Sequence, residues 1–346
     1  MGQQSTVKQY RRFIHIFSIS IILLLVLVFV SMNAGYTKIP IDDILRILFG
    51  GGTAKENLII FEFRLPRIVT AILVGIGFSL SGCVLQGITK NSLADPGLMG
   101  INAGAGIVVV IFMTLYGTMT TGITLLMPFF SLLGALLTSA VIYWLSVQKG
   151  VGIQPMRLVL NGVAIQAGIN ACMTMIVLKL DDTQFDFVAV WQAGNIYNSN
   201  WKLVVSLLPW IIVGVSYLLL KAKELDILGV GDTLAIGLGA RVASEKKKLL
   251  FTAVALAAAA VTISGSLHFV GLIGPHLARR LVGARHKFLL PVCAVVGALL
   301  VLIADTIGRT IIEPSEIPAG IVAAIIGAPY FILLMIRTNR TKGKRG

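Results

Sequence analysis

The chain has 346 residues, 56% hydrophobic and only 13% charged, with a formal net charge of +14 at pH 7. A soluble domain carries roughly a quarter charged residues. Together with a mean hydropathy of +0.90, this excludes an ordinary soluble fold and defines an all-α, polytopic membrane protein. No polar stretch is long enough for a separate soluble domain, so residues 1–346 read as one transmembrane unit.

Lys8, Arg11 and Arg12 precede an apolar run that starts at Phe13. That order imitates a secretory signal. The run continues to about Ala34 without a small-x-small cleavage site, and a length near ~20 residues suits a spanning helix. It reads as a retained first span, 13–34. Further apolar windows, separated by polar or Gly/Pro punctuation, fall at 67–87, 97–116, 122–146, 157–179, 203–221, 249–268, 271–281, 288–308 and 317–337. The eighth of the ten is too short. At about 1.5 Å per residue it covers only about half of a ~30 Å hydrocarbon core. The loop before it must dip into the protein, since irregular backbone at membrane depth survives only when buried or lining water.

With the N-terminus inside, 21 of the 29 Lys and Arg fall in inside segments. The positive-inside rule then places both termini in the cytoplasm. The surplus charge reports topology, and no basic stripe carries the interleaved aromatics of a nucleic-acid groove. Arg64 and Arg67, in "FRLPR", and Arg309, after the ninth span, stand outside against this rule. A single such arginine is explained by snorkelling. Three at one mouth are donors suited to carboxylates.

The sequence contains no G-x-x-x-x-G-K-[ST], hence no P-loop of its own. His15, His268, His276 and His286 have no metal-ligand spacing, and no cofactor is implied. His276 reads as a local capping group or a ligand. Cys83, Cys172 and Cys293 are scattered in apolar segments and read as small packing residues. Intramembrane acids are nearly absent. Asp305 is the main one, and Arg309 four residues on can pair with it. A carrier driven by an ion gradient keeps ionisable groups near mid-membrane. The alternative is a passage powered by a separate chain.

Four stretches carry signals. "SGCVLQGITKNSLADPGLMGINAGAG" (81–106) holds a turn between spans and small residues for close helix packing. In "LGVGDTLAIGLGARVASEKKK" (228–248), Val230, Leu234, Leu238 and Val242 recur every four residues. This predicts one apolar stripe on a short helix that either lies on the lipid surface or fills a groove on a cytoplasmic partner. In "SGSLHFVGLIGPHLARRLVGARHKFLLP" (264–291), glycines and Pro275 interrupt the chain where the length argument demands a break. The last, 304–337, has a short turn with Glu313 and Glu316, and Gly327-Ala328-Pro329 interrupts its span. Polar residues in the spans (Ser79, Gln86, Asn161, Gln166 and Asn170) are candidates to line a passage along spans two, five and eight to ten.

At these stretches the chain resembles the FecCD-type permeases of ABC importers for iron-siderophore complexes, haem and vitamin B12. The likeness runs from about residue 36 to 337. It rests on "RLPR" (64–67), "NSLADPGLMGINAGAG" (91–106), "GDTLAIGLG" (231–239), "FVGLIGPHLAR" (269–279), "ADTIGR" (304–309), "EIPAGI" (316–321) and "GAPYFILL" (327–334). It departs from the family's pattern at Ser92, at Gly194-Asn195-Ile196 and at Gly265-Ser266-Leu267. The resemblance implies ten spans, a second permease subunit (a paralogous partner or an identical copy), two ATPase subunits inside and a substrate-binding protein or lipoprotein outside. It implies that 226–244 couples to the ATPase through Gly231, Asp232, Leu234, Ala235, Leu238 and Gly239, and that Arg64, Arg67 and Arg309 dock the binding protein. The function expected is import of an iron(III)-siderophore complex across the cell membrane by alternating access, with ATP hydrolysed by a separate chain. Haem, vitamin B12 and ion-gradient-driven transport are the alternatives.

Overall fold

A computed structural model describes residues 2–35, 37, 39–117, 121–148, 152–196 and 199–342. Lys38, Lys149, Lys344 and Arg345 of the charge count lie outside the described residues. The chain starts with α1 (Gly2–Asn33), α2 (Ile41–Arg46) and α3 (Ala54–Asn57). Two π-helical turns, Ile47–Gly51 and Leu58–Arg64, lead into α4 (Leu65–Thr89). Then come α5 (Ile101–Tyr116), α6 (Thr121–Ser146), α7 (Pro155–Val177), α8 (Asp182–Gln192) and α9 (Trp201–Leu220). The chain ends with α10 (Ala222–Gly229), α11 (Asp232–Gly237), α12 (Val242–Ser264), α13 (Val270–Val282), α14 (His286–Gly308) and α15 (Ala319–Lys342). The β structure among the described residues is a two-residue antiparallel ladder, β1 (Val147–Gln148) with β2 (Gly152–Ile153).

All ten expected windows coincide with helices, although the seventh, 249–268, overruns α12, which ends at Ser264. Seven are long and apolar enough to cross a membrane, and α5 and part of α15 are shorter apolar helices. The eighth window is α13, of 13 residues. The backbone before it, residues 265–269, is non-helical, and Gly265, Ser266 and Leu267 are buried. Gly265 to Leu267 are thus held inside protein, as the length argument requires, while His268 is exposed and Phe269 half-buried.

Local chemistry sets the helix ends. Pro66 and Pro155 sit in the first turns of α4 and α7, where a missing N–H costs nothing. Asp181 accepts from Gln184 N at 2.8 Å to cap α8, and Asn200 accepts from Leu203 N at 3.1 Å to cap α9.

The core is built around α4, which is largely buried between α14, α12, α13 and α9. In hydrocarbon, helices associate through close packing and interhelical hydrogen bonds, so small residues line the contacts. A Cβ on Gly82 would lie 1.7 Å from the Gly271 carbonyl oxygen on α13. One on Gly75 would lie 2.3 Å from that of Gly297 on α14. These contacts bring backbone against backbone. By contrast, α1 and α7 are mostly exposed in the single chain. Polar side chains of α1 still tie its first turns to the end of α13: Gln9 donates to the Val282 carbonyl at 3.2 Å and Arg12 to that of Arg280 at 3.2 Å.

Candidate functional site

At one end of the bundle, the start of α4, the end of α14, Ala34, Gly35, Thr37 and Asn200 enclose a cavity of about 530 Å³. Arg64, Arg67 and Arg309 all line it, together with Glu62 and Glu316. The three arginines named from sequence are therefore brought together. They do not snorkel: their exposures are 7%, 8% and 5%. A buried guanidinium needs partners, and each has them. Arg67 donates from Nε to Asp305 Oδ1 at 2.9 Å and places Nη2 2.8 Å from the same carboxylate and 2.9 Å from Glu316. Arg64 donates to the carbonyls of Met32 and Thr37, and Arg309 to the carbonyl and hydroxyl of Ser31, all on or just after α1.

The expected local pair between Asp305 and Arg309 forms, but loosely. Their closest approach is 3.9 Å, whereas the principal mate of Asp305 is Arg67, far away in sequence. The reason is geometric. An i,i+4 neighbour brings its charge alongside the helix, but Arg67, facing α14 from α4, can present its planar fork to the carboxylate.

The opposite end carries the basic loop. The four-residue stripe does not lie on one helix. Gly231, at φ +119°, separates α10 from α11, and Gly239, at φ +84°, separates α11 from α12. L-residues with a Cβ rarely adopt such φ values. Val242 packs against the core instead. Val230, Leu234 and Leu238 remain exposed, joined by Ile236, which the four-residue period missed. Ala235 is fully buried and seats α11 on the bundle. Asp232 is the anchor. Lys246 Nζ lies 2.6 Å from its Oδ2 and Lys90 Nζ 3.3 Å from its Oδ1. Partial burial pushes the Asp232 carboxyl upward, but Lys246 and then Lys90 outweigh this and hold it below the ordinary carboxylate value. Lys90 ends α4, so α11 is tied to the central helix of the bundle. Asp226 on α10 likewise receives the His286 backbone N–H at 2.9 Å, and its Oδ1 lies 2.6 Å from His286 Nδ1.

The five passage candidates are not brought together. Ser79 is wholly buried and donates to the Cys293 carbonyl at 2.7 Å, joining α4 to α14. Gln86, 3% exposed, donates to the Leu272 carbonyl at 3.3 Å and accepts from Arg279 Nη1 at 3.3 Å, joining α4 to α13. Both fasten helices, the ordinary use of a polar side chain in an apolar bundle. Asn161 on α7 donates to Ser146 Oγ at 3.1 Å. Gln166 is half-buried and Asn170 exposed on α7, beside exposed Ala164, Ala167, Gly168 and Ala171. The middle of that face is small and polar, unlike the exposed Val205, Val213 and Leu220 of α9.

A bundle of spanning helices with a buried half-length segment, a helical loop anchored at one end and a charged cavity at the other is a membrane permease. Residues 23–337 match the FecCD transport family, and the chain belongs to it. It is 44% identical, over 94% of its length and 97% of the relative's, to the iron(3+)-hydroxamate import system permease protein FhuG of Bacillus subtilis (strain 168). It is 36% identical, over 93% and 95%, to the hemin transport system permease protein HmuU of Yersinia pestis. Among solved structures it matches an inward-facing conformation of a metal-chelate type ABC transporter, with a TM-score of 0.79 and 30% identity, over 93% of this chain and 99% of that one.

Proposed function

We propose that this chain carries an iron(III)-siderophore complex of the hydroxamate class into the cytoplasm as one of two permease subunits in an ATP-driven importer. The observation that carries the substrate is the near-full-length likeness to the hydroxamate permease, at higher identity than to the haem permease. The charge bias supports an orientation with both termini and the α10–α11 loop in the cytoplasm. Val230, Leu234, Ile236 and Leu238 then meet a groove on a separate ATPase. The Asp232 ties to Lys90 and Lys246 pass its movement to α4 and α12. The small, polar middle of α7 faces the passage and the second permease subunit, so the route runs between subunits and Ser79 and Gln86 stay out of it. At the outer end, acidic side chains of a binding protein engage the arginine cavity. Glu316, 31% exposed, is the partner of Arg67 that such an acid can displace, because Asp305 is buried beneath it.

Co-purification of the complex from native membranes tests this assembly. A separate ATPase, a second permease subunit and a hydroxamate-siderophore binding protein are expected with the chain. Recovery of the chain alone, with siderophore uptake driven by an imposed ion gradient, contradicts the reading and favours a secondary carrier.

A further inference from the structure

The outward face of α12 carries two grooves that no described residue fills. One, about 370 Å³, runs between α6 and α12 and is lined by Leu136, Tyr143, Leu250 and Val254. The other, about 400 Å³, runs between α9 and α12 and is lined by Pro209, Val213, Tyr217 and Ala255. Phe251, 65% exposed, lines both and forms the ridge between them. One turn nearer the helix start, the three consecutive lysines divide. Lys246 turns inward to Asp232. Lys247 lines the first groove and makes no ion pair among the described residues. Lys248 is 57% exposed and reaches Glu245 only at 3.4 Å.

We propose that this face holds one anionic phospholipid, its two acyl chains lying on either side of Phe251 and its phosphate between Lys247 and Lys248. Three observations fit this occupant. The charge is complementary, since basic pockets between spanning helices receive anionic headgroups. The length is right: from Lys247 to Leu256, the far end of the second groove, the helix rises about 13 Å, close to half of a ~30 Å hydrocarbon core and so to one leaflet. The third is a polar orphan. The Tyr217 hydroxyl is buried, has no hydrogen-bond partner among the described residues, and belongs to a residue lining the second groove near the end of α9. A rotation of this side chain would bring the hydroxyl from its buried position to a phosphate or ester oxygen at that level, which would accept its proton. The proposal concerns a face that neither the passage nor the docking surfaces use.

Native mass spectrometry of the purified full-length chain, equilibrated with phosphatidylglycerol or phosphatidylcholine, reads the site. Phosphatidylglycerol is expected to be retained on the order of tenfold more strongly. Lys247→Ala with Lys248→Ala should erase that preference, and Lys247→Arg with Lys248→Arg should keep it. Equal retention of the two lipids by the unaltered chain, or an undiminished preference in the double alanine variant, overturns the proposal. A photoreactive phenylalanine analogue at position 251, activated in native membranes, should acquire the mass of one phospholipid. A crosslink to a protein instead would show that a partner covers this face and would equally overturn it.

Discussion

Asp305→Ala removes the carboxylate that clamps α4 to α14. Asp305 is 1% exposed and binds Arg67 through two nitrogens, at 2.9 and 2.8 Å. Truncating one partner of such a pair leaves a buried guanidinium uncompensated, at a cost of about 3–5 kcal/mol. Glu316→Ala removes the second carboxylate from the same arginine, but that side chain is 31% exposed. Water replaces much of what is lost, and the cost is about 1 kcal/mol or less. Thermal unfolding of the purified chain in one detergent should therefore show a large drop for Asp305→Ala and a small one for Glu316→Ala. The double variant Arg67→Met with Asp305→Leu puts apolar volume in place of both charges and should recover most of the lost stability, while uptake stays lost because Arg67 is gone. Equal melting temperatures for Asp305→Ala and Glu316→Ala would refute the clamp. So would a double variant as unstable as the two single changes added together.

Three further outcomes follow. Leu234→Asp places a charge on a side chain that is 63% exposed. It should leave the melting temperature unchanged and abolish co-purification of the ATPase; retained co-purification would return α11 to the lipid surface. Gly82→Val cannot fit 1.7 Å from the Gly271 carbonyl without parting α4 from α13. It should cost about 3 kcal/mol or more by overpacking, read as a lowered melting temperature. Burial raises the Asp226 pKa, but hydrogen bonds from His286 outweigh it and hold the group below the usual carboxylate value. A depressed pKa contributes stability that is complete above the unfolded value and is lost as pH falls through the folded one. Asp226→Asn should therefore lower stability at neutral pH and flatten its acid dependence, and identical acid profiles would contradict this.

The apolar helices, seven of them long enough to cross a membrane, were legible because apolar length is a strong local signal. The short eighth span showed its own deficit, but the break falls at 265–269, opened by Gly265 at φ +65°, while Pro275, expected to interrupt the chain, lies inside α13. Phe269, at φ +67° without being glycine, could not be anticipated, because its backbone is imposed by the packing around it. Helix α8 was missed although Asp181 and Gln184 form a capping box readable in the sequence. The site was harder to read. The gathering of Arg64, Arg67 and Arg309 was anticipated from their side of the membrane, but their burial was not. The mate of Arg67 lies 238 residues away, beyond any local pattern. The stripe through Val230 and Val242 assumed one continuous helix, and two positive-φ glycines broke it. Ser79 and Gln86 were read as passage residues from their polarity, which does not say whether water or a neighbouring helix receives it; here the Cys293 and Leu272 carbonyls of α14 and α13 do.

The central claim is ATP-driven import of an iron(III) hydroxamate siderophore. Its most direct measurement is uptake of the radiolabelled ferric complex into liposomes holding this chain, its sister permease and the ATPase, with the binding protein outside. The account predicts accumulation that requires ATP in the lumen and the binding protein outside, with no comparable accumulation of haem. Accumulation driven by a proton or sodium gradient without ATP, or a preference for haem, would contradict it.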